Sequence, residues 1–346
     1  MTEISVVLRA RNASATIEQQ LEALAQQRCA RSWELIVVDN GSSDDTRLLV
    51  QQWEQRIENL QLISTGKLPC ASRAANVGVR ASSGVKVLLC DADDVVTPTW
   101  AAAMSRALDD FDLVGGALEY DSLNFDRLIR SRVRAQVTEL PVWRGVAYGI
   151  GASLGFRRAA FDSIGGFDEA LRPVGAEDMD FCIRAQWLGL TIGFASDAVV
   201  RYRLRSEWGS FLRQQLNYGR GAERLIAKHR RGNNEDSRGR RTRVAFGRAR
   251  ELTLQVPRLF DGDRRWDYIG EWAFVLGAAA AIVRRHVRPA ANGLPVESRM
   301  RERHTAQARP KVLRPFLSSS LYRINRRKRV RTEDRPITAQ RRRRTR

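Results

Sequence analysis

Short apolar runs alternate with helix-like segments over the first third of the chain. The runs lie at residues 4–8, 35–38, 60–63 and 85–90. They are rich in β-branched residues and lack polar alternation, which is typical of strands covered by helices on both faces. Apolar residues recur at helical spacing between them, at Ile17, Leu21 and Leu24, at Leu48, Leu49, Trp53 and Ile57, and within Ala71–Ala81. This pattern predicts an α/β fold with a Rossmann-like, mostly parallel sheet.

Longer segments of mixed character follow the fourth run. Thr97 and Pro98 favour a helix start, as cap and first-turn proline, and this helix is predicted to reach about Leu108. Acidic residues at its start predict a further helix over Glu177–Trp187. Residues 207–229 are predicted to form a third. Helices therefore become the main elements of the second half.

Three parts are predicted along the chain. Residues 1–230 form the α/β domain, and residues 231–287 a helical extension. The polar, glycine-punctuated stretch 230–241 favours a loop or hinge between them. Residues 288–346 are a basic tail with too few apolar residues to fold alone.

The charge is unevenly distributed. The 346 residues carry a net charge of +20. Residues 284–346 hold 21 basic and 4 acidic residues, a net charge of +17, so the first 283 residues carry only +3. The function of residues 1–283 (the body) must therefore be inferred from their motifs, whereas the charge of residues 284–346 indicates the kind of partner they bind.

The cysteines and the N-terminus indicate a cytoplasmic protein. The four cysteines lie far apart in no CxxC or Cys/His metal pattern, which favours a reducing compartment. The N-terminal residues show no secretory signal. The longest apolar stretch, residues 273–283, is shorter than the ~20 residues of a membrane-spanning helix. We expect this stretch to lie on a membrane at most, not to cross one.

Polar clusters follow three of the predicted strands, at residues 9–12, 39–46 and 91–94. Ligands of doubly wound sheets bind at the carboxyl ends of strands, so these positions are candidates for chemistry. The second cluster contains Asn-Gly and Ser-Asp pairs, which favour a turn and a helix cap by themselves. A ligand loop and a plain turn both stay open there.

The third cluster, with Asp91, Asp93 and Asp94, indicates a divalent cation or a donor-rich ligand, because adjacent carboxylates repel one another. A solvated acidic turn is the alternative. A hard cation held by few carboxylates completes its shell with water and phosphates, so a phosphorylated substrate is expected. No GxGxxG follows the first strand and no GxxxxGK[ST] occurs, which argues against a dinucleotide cofactor and a P-loop hydrolase. Arg73 is a candidate phosphate contact, or a surface arginine.

A second acidic cluster, Glu177, Asp178 and Asp180, begins the predicted helix after a glycine-rich approach. The helix dipole favours acidic residues there without any function. The flexible approach would also let a carboxylate protrude into a cleft, where neighbouring negative charge raises its pKa. A raised pKa suits a general base.

Taken in order, these motifs resemble glycosyltransferase family 2, over roughly residues 3–225. The resemblance implies a GT-A fold and an inverting transfer from a nucleotide-diphosphate sugar, with a divalent metal. The motifs are Ser5-Val6-Val7 with Arg11-Asn12, Val37 to Thr46, Arg73-x-x-Asn76-x-Gly78, Asp91-x-Asp93-Asp94, and Gly165-Gly166-Phe167-Asp168-Glu169 with Glu177-Asp178-x-Asp180.

The resemblance implies roles on the donor side for five residues. Asp39 would contact the nucleotide base. The backbone at Ala10, Arg11 and Asn12 would line the nucleoside pocket. Asp91 would lie near the ribose.

The resemblance also implies the groups that handle the diphosphate and the acceptor. Asp93 would bind Mg²⁺ or Mn²⁺, and Asp178 would be the base that takes the acceptor proton, with Glu177 at its side in the nucleotide-sugar site. Arg73 would be a nucleotide-side contact. Relatives often carry a metal-binding His at residues 199–203, where this chain has none, and Arg201 is a candidate to neutralise the diphosphate directly.

The resemblance gives two further expectations. Residues 214–219 lie where processive members carry QxxRW, and the Arg-Trp pair is absent, so one sugar per encounter is expected. The acceptor is expected to be a lipid-linked or cell-envelope glycan.

The basic tail and the aromatic segment 264–285 suit an anionic membrane surface, at the inner face of the plasma membrane. An ordinary helix packed on the body is the alternative for that segment. Specific nucleic-acid recognition is not expected, since the tail has few aromatic residues and no stacking platform.

Two other functions stay open. One is a non-catalytic module that binds polyanions through the tail on a degenerate GT-A scaffold. The other is a sugar-nucleotide pyrophosphorylase, although that class usually begins with a glycine-rich phosphate clamp and residues 9–12 contain no glycine.

Overall fold

The computed structural model describes residues 2–66, 69–132, 136–171, 175–229, 249–262 and 264–287. The predicted linker at 230–241 and basic tail at 288–346 lie outside these ranges. The strands are β1 (Ile4–Ala10), β2 (Trp33–Asp39), β3 (Leu60–Ser64), β4 (Lys86–Asp91), β5 (Val95–Val96), β6 (Leu113–Glu119), β7 (Val142–Trp143), β8 (Val146–Ala147), β9 (Leu154–Arg157) and β10 (Ile192–Arg201). The helices are α1 (Ile17–Ala25), α2 (Thr46–Trp53), α3 (Ala71–Ala81), α4 (Trp100–Asp110), α5 (Asp126–Arg132), α6 (Arg158–Ile164), α7 (Glu177–Trp187), α8 (Trp208–Lys228) and α9 (Arg265–Val287).

Within the described residues, eight strands form one sheet in the order β3-β2-β1-β4-β9-β6-β10-β5. β1 pairs in parallel with β2 and β4, β2 with β3, and β6 with β10. β9 runs antiparallel between β4 and β6, and β5 runs antiparallel to β10. The predicted α/β class and mostly parallel sheet are confirmed, and β9 and β6 are strands that the hydrophobic pattern did not reveal.

Helices cover both faces of this sheet, as predicted. Val6 and Leu8 of β1 belong to a core shared with α1, α2 and α4, whereas Val7 belongs to a second core shared with α3, α6 and α7. Successive strand side chains point to opposite faces, so β1 must be apolar on both. This explains why its sequence lacks the alternation of a half-exposed strand.

Two helices begin and end where the sequence predicted, and one does not. α3 and α7 span Ala71–Ala81 and Glu177–Trp187. α4 begins at Trp100, so the predicted start at Thr97 and Pro98 is wrong. The backbone N–H and the hydroxyl of Thr97 both donate to the carbonyl of Val199, at 3.0 and 2.9 Å, and this extends the β5–β10 pairing. Strand pairing therefore overrides the local capping preference.

The four cysteines are free, and Cys70, Cys90 and Cys182 are buried. Burial raises the pKa of the Cys182 thiol to about 12, and it also raises the pKa of the Cys90 thiol. Thiols with raised pKa values are unreactive and pack as small apolar groups.

The helices α8 and α9 cross in backbone contact. A Cβ on Gly219 would lie 2.0 Å from the carbonyl oxygen of Phe274, and one on Gly277 would lie 2.1 Å from that of Leu216. Glycine at both positions is therefore required for this crossing. Close packing of this kind ties α9 to the body.

The helix α9 is longer than the apolar stretch from which its membrane behaviour was predicted. Residues Arg265–Arg284 are long and apolar enough to qualify as a candidate membrane span, and 33% of that window is buried against the protein. The expectation that the apolar region is too short to span a membrane is therefore wrong as a statement about length. The helix is longer than the apolar stretch because residues 265–272 before it and 284–287 after it are also helical.

Candidate active site

The loops after β1 and β2 are joined at the carboxyl edge of the sheet. The N–H of Asn40 donates to the carbonyl of Ala10 at 2.8 Å. Asn12, in a left-handed conformation with φ of 48°, donates its N–H to Ser42 Oγ and accepts from the N–H of Ser43 at 2.8 Å. The structure thus brings the predicted nucleoside residues Ala10 and Asn12 beside the loop that follows Asp39. Arg11 lies between them and is exposed.

Asp39 is buried at the end of β2. Its Oδ1 accepts the N–H of Ser42 at 2.9 Å, and its Oδ2 lies 3.5 Å from Ser64 Oγ and 3.9 Å from Arg47 Nε. These contacts hold the carboxylate toward the edge where the strands end. It can accept hydrogen bonds there from a polar ligand.

The three carboxylates at the end of β4 and just beyond it each contact an arginine. Asp91 Oδ1 accepts from Arg9, Asp93 Oδ2 lies 2.8 Å from Arg205 Nη2, and Asp94 Oδ1 accepts the backbone N–H of Arg203 at 2.8 Å. The other oxygen of Asp94 is buried without a hydrogen-bond partner. The cluster is thus a built site, not a solvated turn.

Burial and mutual repulsion raise the pKa values in this acidic cluster. Burial raises the pKa of Asp91, and the charge of Asp93 adds to the effect, although Arg9 opposes it. Burial beside Asp93 and Asp91 raises the pKa of Asp94 well above its usual value. Such a cluster gains stability from added positive charge.

The oxygen donors of the cluster suit a hard divalent cation, with the protein supplying few of the ligands. No group of three or more His, Cys, Asp or Glu side chains with metal-binding geometry occurs in the described ranges. Mg²⁺ is commonly held by one or two carboxylates plus phosphates and water, and Asp93 can supply one such carboxylate. Arg205 competes for the same side chain, and the charge of Asp93 raises the pKa of Arg205.

The second acidic pair begins α7. Asp178 accepts the N–H of Gly151 on Oδ2 at 3.0 Å and its own neighbour's N–H, that of Met179, on Oδ1 at 2.8 Å. Burial raises the pKa of Asp178 to about 6, and the charge of Glu177 contributes. A carboxylate held by two donors, with a pKa near neutrality, can accept a proton from a hydroxyl.

Glu177 fixes the approach to α7. Its Oε2 accepts the N–H groups of Gly175 and Ala176, at 2.9 and 3.1 Å, and its Oε1 lies 3.5 Å from Arg9 Nη1. The side chain is buried. It therefore connects the loop before α7 to the end of β1.

Arg9 belongs to the polar cluster at residues 9–12, but sequence reasoning assigned it no role in the site. Its buried guanidinium donates to Asp91 Oδ1 from Nε at 3.0 Å and Nη2 at 2.7 Å, and it faces Glu177 with Nη1. Burial lowers the pKa of Arg9, but the carboxylates of Asp91, Glu177 and Asp178 outweigh this and raise it. The available signal was a charged residue near the end of an otherwise apolar, buried strand.

Arg73 and Arg201 lie on other elements. Arg73 forms an ion pair with Glu169, with Nε 3.3 Å from Oε2, and Asn76 donates to the same glutamate at 3.0 Å. These bonds fasten α3 to the segment before α7. Arg201 ends β10, is exposed, and pairs in register with Val95, just beyond the acidic cluster.

The segment after β10 carries two arginines that contact the acidic cluster. Arg203 donates from Nε to the carbonyl of Asp93 at 2.9 Å and from Nη2 to Gln19 at 2.7 Å. Together with Arg205, it brings positive charge against the acidic cluster.

The fold and the site together define a GT-A-type α/β protein. Two family models match the chain, "Glycosyl transferase family 2" over residues 5–165 and "Glycosyl transferase family group 2" over residues 86–260. The chain belongs to glycosyltransferase family 2.

Two curated relatives extend the comparison. The glycosyltransferase AglE of Haloferax volcanii is 25% identical over 228 residues, 63% of this chain and 72% of the relative. The UDP-Glc:alpha-D-GlcNAc-diphosphoundecaprenol beta-1,3-glucosyltransferase WfgD of Escherichia coli is 29% identical over 92 residues, 27% of this chain and 35% of the relative. The match to the second relative is therefore confined to a part of each protein.

A solved structure shares the fold. The mannosyltransferase PcManGT from Pyrobaculum calidifontis, in complex with GDP-Man and Mn²⁺, is 20% identical, with a TM-score of 0.51 over 87% of this chain and 79% of that one.

Proposed function

We propose that the protein transfers a sugar from a nucleotide-diphosphate sugar to an acceptor hydroxyl, with inversion at the anomeric carbon. The observation that carries this proposal is Asp178, held by two backbone N–H groups with a pKa of about 6 and linked through Arg9 to the acidic cluster after β4. Asp178 would take the proton of the acceptor hydroxyl as that oxygen attacks. A general base and a leaving-group site on opposite sides of one carbon favour inversion.

The donor would lie along the edge formed by the loops after β1, β2 and β4. The buried carboxylate of Asp39 would accept hydrogen bonds from the base, beside Ala10, Arg11 and Asn12. Asp91 would contact the ribose, with Arg73 as a further nucleotide-side contact. The similarity of the fold to a structure that holds GDP-Man and Mn²⁺ supports this location for the donor.

Cations would offset the charge that develops on the departing diphosphate. Asp93 would hold Mg²⁺ or Mn²⁺, which when bound supplies Lewis-acid stabilisation of that charge. Arg201 and Arg205 are this chain's own cations on the same side of the site. Positive charge directed at a developing anion lowers the barrier for its departure.

We propose a lipid-linked or cell-envelope glycan as the acceptor, with one sugar added per encounter. The relative WfgD, by its name, acts on a diphosphoundecaprenol substrate, which supports an acceptor at a membrane. The absence of the Arg-Trp pair of QxxRW from residues 214–219 supports the non-processive mode.

We propose that residues 1–230 are the catalytic domain and that residues 231–287 attach it peripherally to the cytoplasmic face of a membrane. Two apolar side chains before α9, Leu254 and Phe260, are 77% and 87% exposed. In contrast, the aromatic residues at the start of α9 pack against the protein itself, since Trp266 stacks on Trp208 and Tyr268 is buried. Exposed apolar groups beside basic residues favour anionic lipid surfaces.

The proposal is tested by substrate binding and turnover. Full-length protein is heated with UDP, GDP and their sugar conjugates, each with and without MnCl₂, because a ligand that binds the folded state raises the melting temperature. The donor so identified is then offered to undecaprenyl-diphosphate-linked sugars. We expect one class of nucleotide to raise the melting temperature. We also expect sugar transfer by the unmodified protein and none by Asp178→Asn. Undiminished transfer by Asp178→Asn would contradict the assigned base.

A further inference from the structure

Arg9 divides its guanidinium between two parts of the site. Nε and Nη2 both bond Oδ1 of Asp91, at 3.0 and 2.7 Å, so Arg9 leaves Oδ2 of that carboxylate for another partner. The remaining nitrogen, Nη1, faces Oε1 of Glu177 at 3.5 Å. One rigid side chain thus contacts the residue assigned to the donor and the residue next to the assigned base.

The surroundings of Arg9 are shaped to fit an arginine. The side chain is only 9% exposed, so its charge is held within the protein by its carboxylate partners. A Cβ on Gly151 would lie 2.8 Å from Arg9 Nη2, and the N–H of this same glycine donates to Asp178. The absence of a side chain at residue 151 therefore makes room for Arg9, while the backbone N–H of the same residue donates to the assigned base.

We propose that Arg9 is a positioning residue that joins the donor-binding carboxylate Asp91 to the base-bearing pair Glu177 and Asp178. The inference rests on the proposed function, because it assigns Asp91 to the donor and Asp178 to the acceptor. A planar guanidinium can bond in two directions at once, whereas a lysine ammonium is a point charge on a flexible chain. Arg9 holds Asp91 and the pair Glu177 and Asp178 in a fixed position relative to one another.

The charged and titratable groups around Asp178 come from two elements. They are Glu177 and Cys182 of α7 and Arg9 of β1. Within this group Arg9 is the cation, and it opposes the increase in the pKa of Asp178 that burial and Glu177 cause. Removing the cation alone should therefore move the titration of Asp178 to higher pH.

The test compares three variants of the full chain with the unmodified protein. Arg9→Met removes the charge and keeps most of the length, and Arg9→Lys keeps the charge but not the fork. Arg31→Met is the matched control, since Arg31 pairs with Asp109 at 2.8 Å and with Glu3 near the start of β1, at the opposite end of that strand. Carboxyl ¹³C NMR follows the titration of Asp178, assigned by its loss in Asp178→Asn, and calorimetry measures UDP and GDP binding with MgCl₂.

The expected results separate the variants. Arg9→Met titrates Asp178 at a higher pH than the unmodified protein and binds the nucleotide about tenfold more weakly, the effect of losing a charge-assisted hydrogen bond. Arg9→Lys retains the titration but binds nucleotide more weakly. Arg31→Met changes neither. An unchanged titration in Arg9→Met, or nucleotide binding by Arg9→Lys as tight as that of the unmodified protein, overturns the inference.

Failure of the proposed function gives a different result. If the unmodified protein binds neither UDP nor GDP, the donor assignment is wrong, and the titration in Arg9→Met still decides whether Arg9 controls Asp178. If Arg9→Met does not fold, the nucleotide affinity of Arg9→Lys decides in its place.

Discussion

The backbone N–H of Gly151 donates to Oδ2 of Asp178 at 3.0 Å, across 27 residues of sequence. Gly151 begins the 3-10 turn that leads into β9, and Asp178 lies in the first turn of α7. The assigned base is therefore oriented from the sheet and not only by its own helix. A hydrogen bond from the backbone holds the carboxylate without the freedom of a side-chain donor.

We expect Gly151→Ala to lower kcat with little loss of stability. The added methyl would lie 2.8 Å from Arg9 Nη2 and displace the guanidinium or the turn. A misplacement of this size in a site commonly costs about 10²-fold in rate. Gly209→Ala is the control, since a Cβ at residue 209 meets nothing within 4 Å. Equal rates for the two variants, measured at saturating donor and acceptor, would show that residue 151 has no special role.

Transfer should fall in acid as Asp178 becomes protonated. Its pKa is raised to about 6, so kcat/KM is expected to decrease about tenfold per pH unit below that value and to level off above it. Asp178→Asn should lower kcat/KM about 10²- to 10⁴-fold, and the remaining activity should no longer decrease in acid. A profile that is flat through pH ~6 in the unmodified enzyme would exclude Asp178 as the titrating base.

The same pKa predicts the effect of Asp178 on stability. The folded state raises this pKa above the unfolded value near 3.9, so protonation favours folding, and that contribution is lost as the pH rises through about 6. Asp178→Asn is therefore expected to be more stable than the unmodified protein at about pH 8 and equally stable at about pH 3. Urea unfolding at both pH values measures the difference.

Asp180, two residues further along α7, should behave in the opposite way. It is fully buried and bonds Arg184 at 2.8 Å, Lys228 at 2.8 Å and His229 at 2.7 Å. Burial raises its pKa, but these partners outweigh burial and hold the pKa below its usual value. Its contribution to stability is present above the unfolded value and is lost as the pH falls.

Asp180→Asn should consequently destabilise the fold by about 3 kcal/mol at neutral pH, because it leaves the guanidinium of Arg184, which is only 11% exposed, without its carboxylate. Lys228→Met removes a more exposed partner, with 30% of its side chain accessible, and should cost less than about 1 kcal/mol. Chemical denaturation of both variants tests the order. A larger loss in Lys228→Met would place the main contribution elsewhere.

Arg205→Ala is expected to tighten Mn²⁺ binding about tenfold in the absence of nucleotide. Arg205 Nη2 lies 2.8 Å from Oδ2 of Asp93, so the arginine and the metal would compete for one carboxylate. Paramagnetic resonance of free Mn²⁺ measures the affinity directly. Arg213→Ala, which removes an exposed arginine of α8, makes the same change in net charge and should have less than about a twofold effect.

Leu254→Ser with Phe260→Ser should weaken binding to vesicles that contain phosphatidylglycerol. Each exposed side chain would contribute about 1.5–3 kcal/mol if buried in the interface, so the double variant is expected to bind about a hundredfold or more weakly. Leu48→Ser on α2, where the leucine is 55% exposed, is the control and should bind as the unmodified protein does. Sedimentation with vesicles at low and high salt gives both affinities, and equal binding by all variants would assign attachment to charge alone.

The positions of the acidic residues could be predicted from the sequence because their signals are local. Asp39 and Asp91 each end an apolar strand, Asp93 and Asp94 lie within the next three residues, and Glu177–Trp187 has helix signals at its start. Signals of this kind depend on neighbouring residues only, so they can be read without knowledge of the tertiary contacts.

The role of Arg9 and the strand β9 could not be predicted, because their partners are distant in the chain. Arg9 bonds Asp91 across 82 residues, and a lone arginine in a strand gives no indication of which carboxylate it meets. β9 contains a glycine and pairs antiparallel with β4 and β6. Glycine weakens the strand signal, and the pairing itself is set by tertiary contacts.

The reversed direction of β9 has a consequence for how this protein can diversify. The chain leaves the sheet at the end of β6 and, after residues 120–150, returns to the same edge at Gly151. Both ends of that excursion are anchored by hydrogen-bonded strands, so it is a cassette inserted between fixed points. Substitution or grafting within the cassette can therefore leave the pairing of β6 with β9, and the hydrogen bond from Gly151 to Asp178, unchanged.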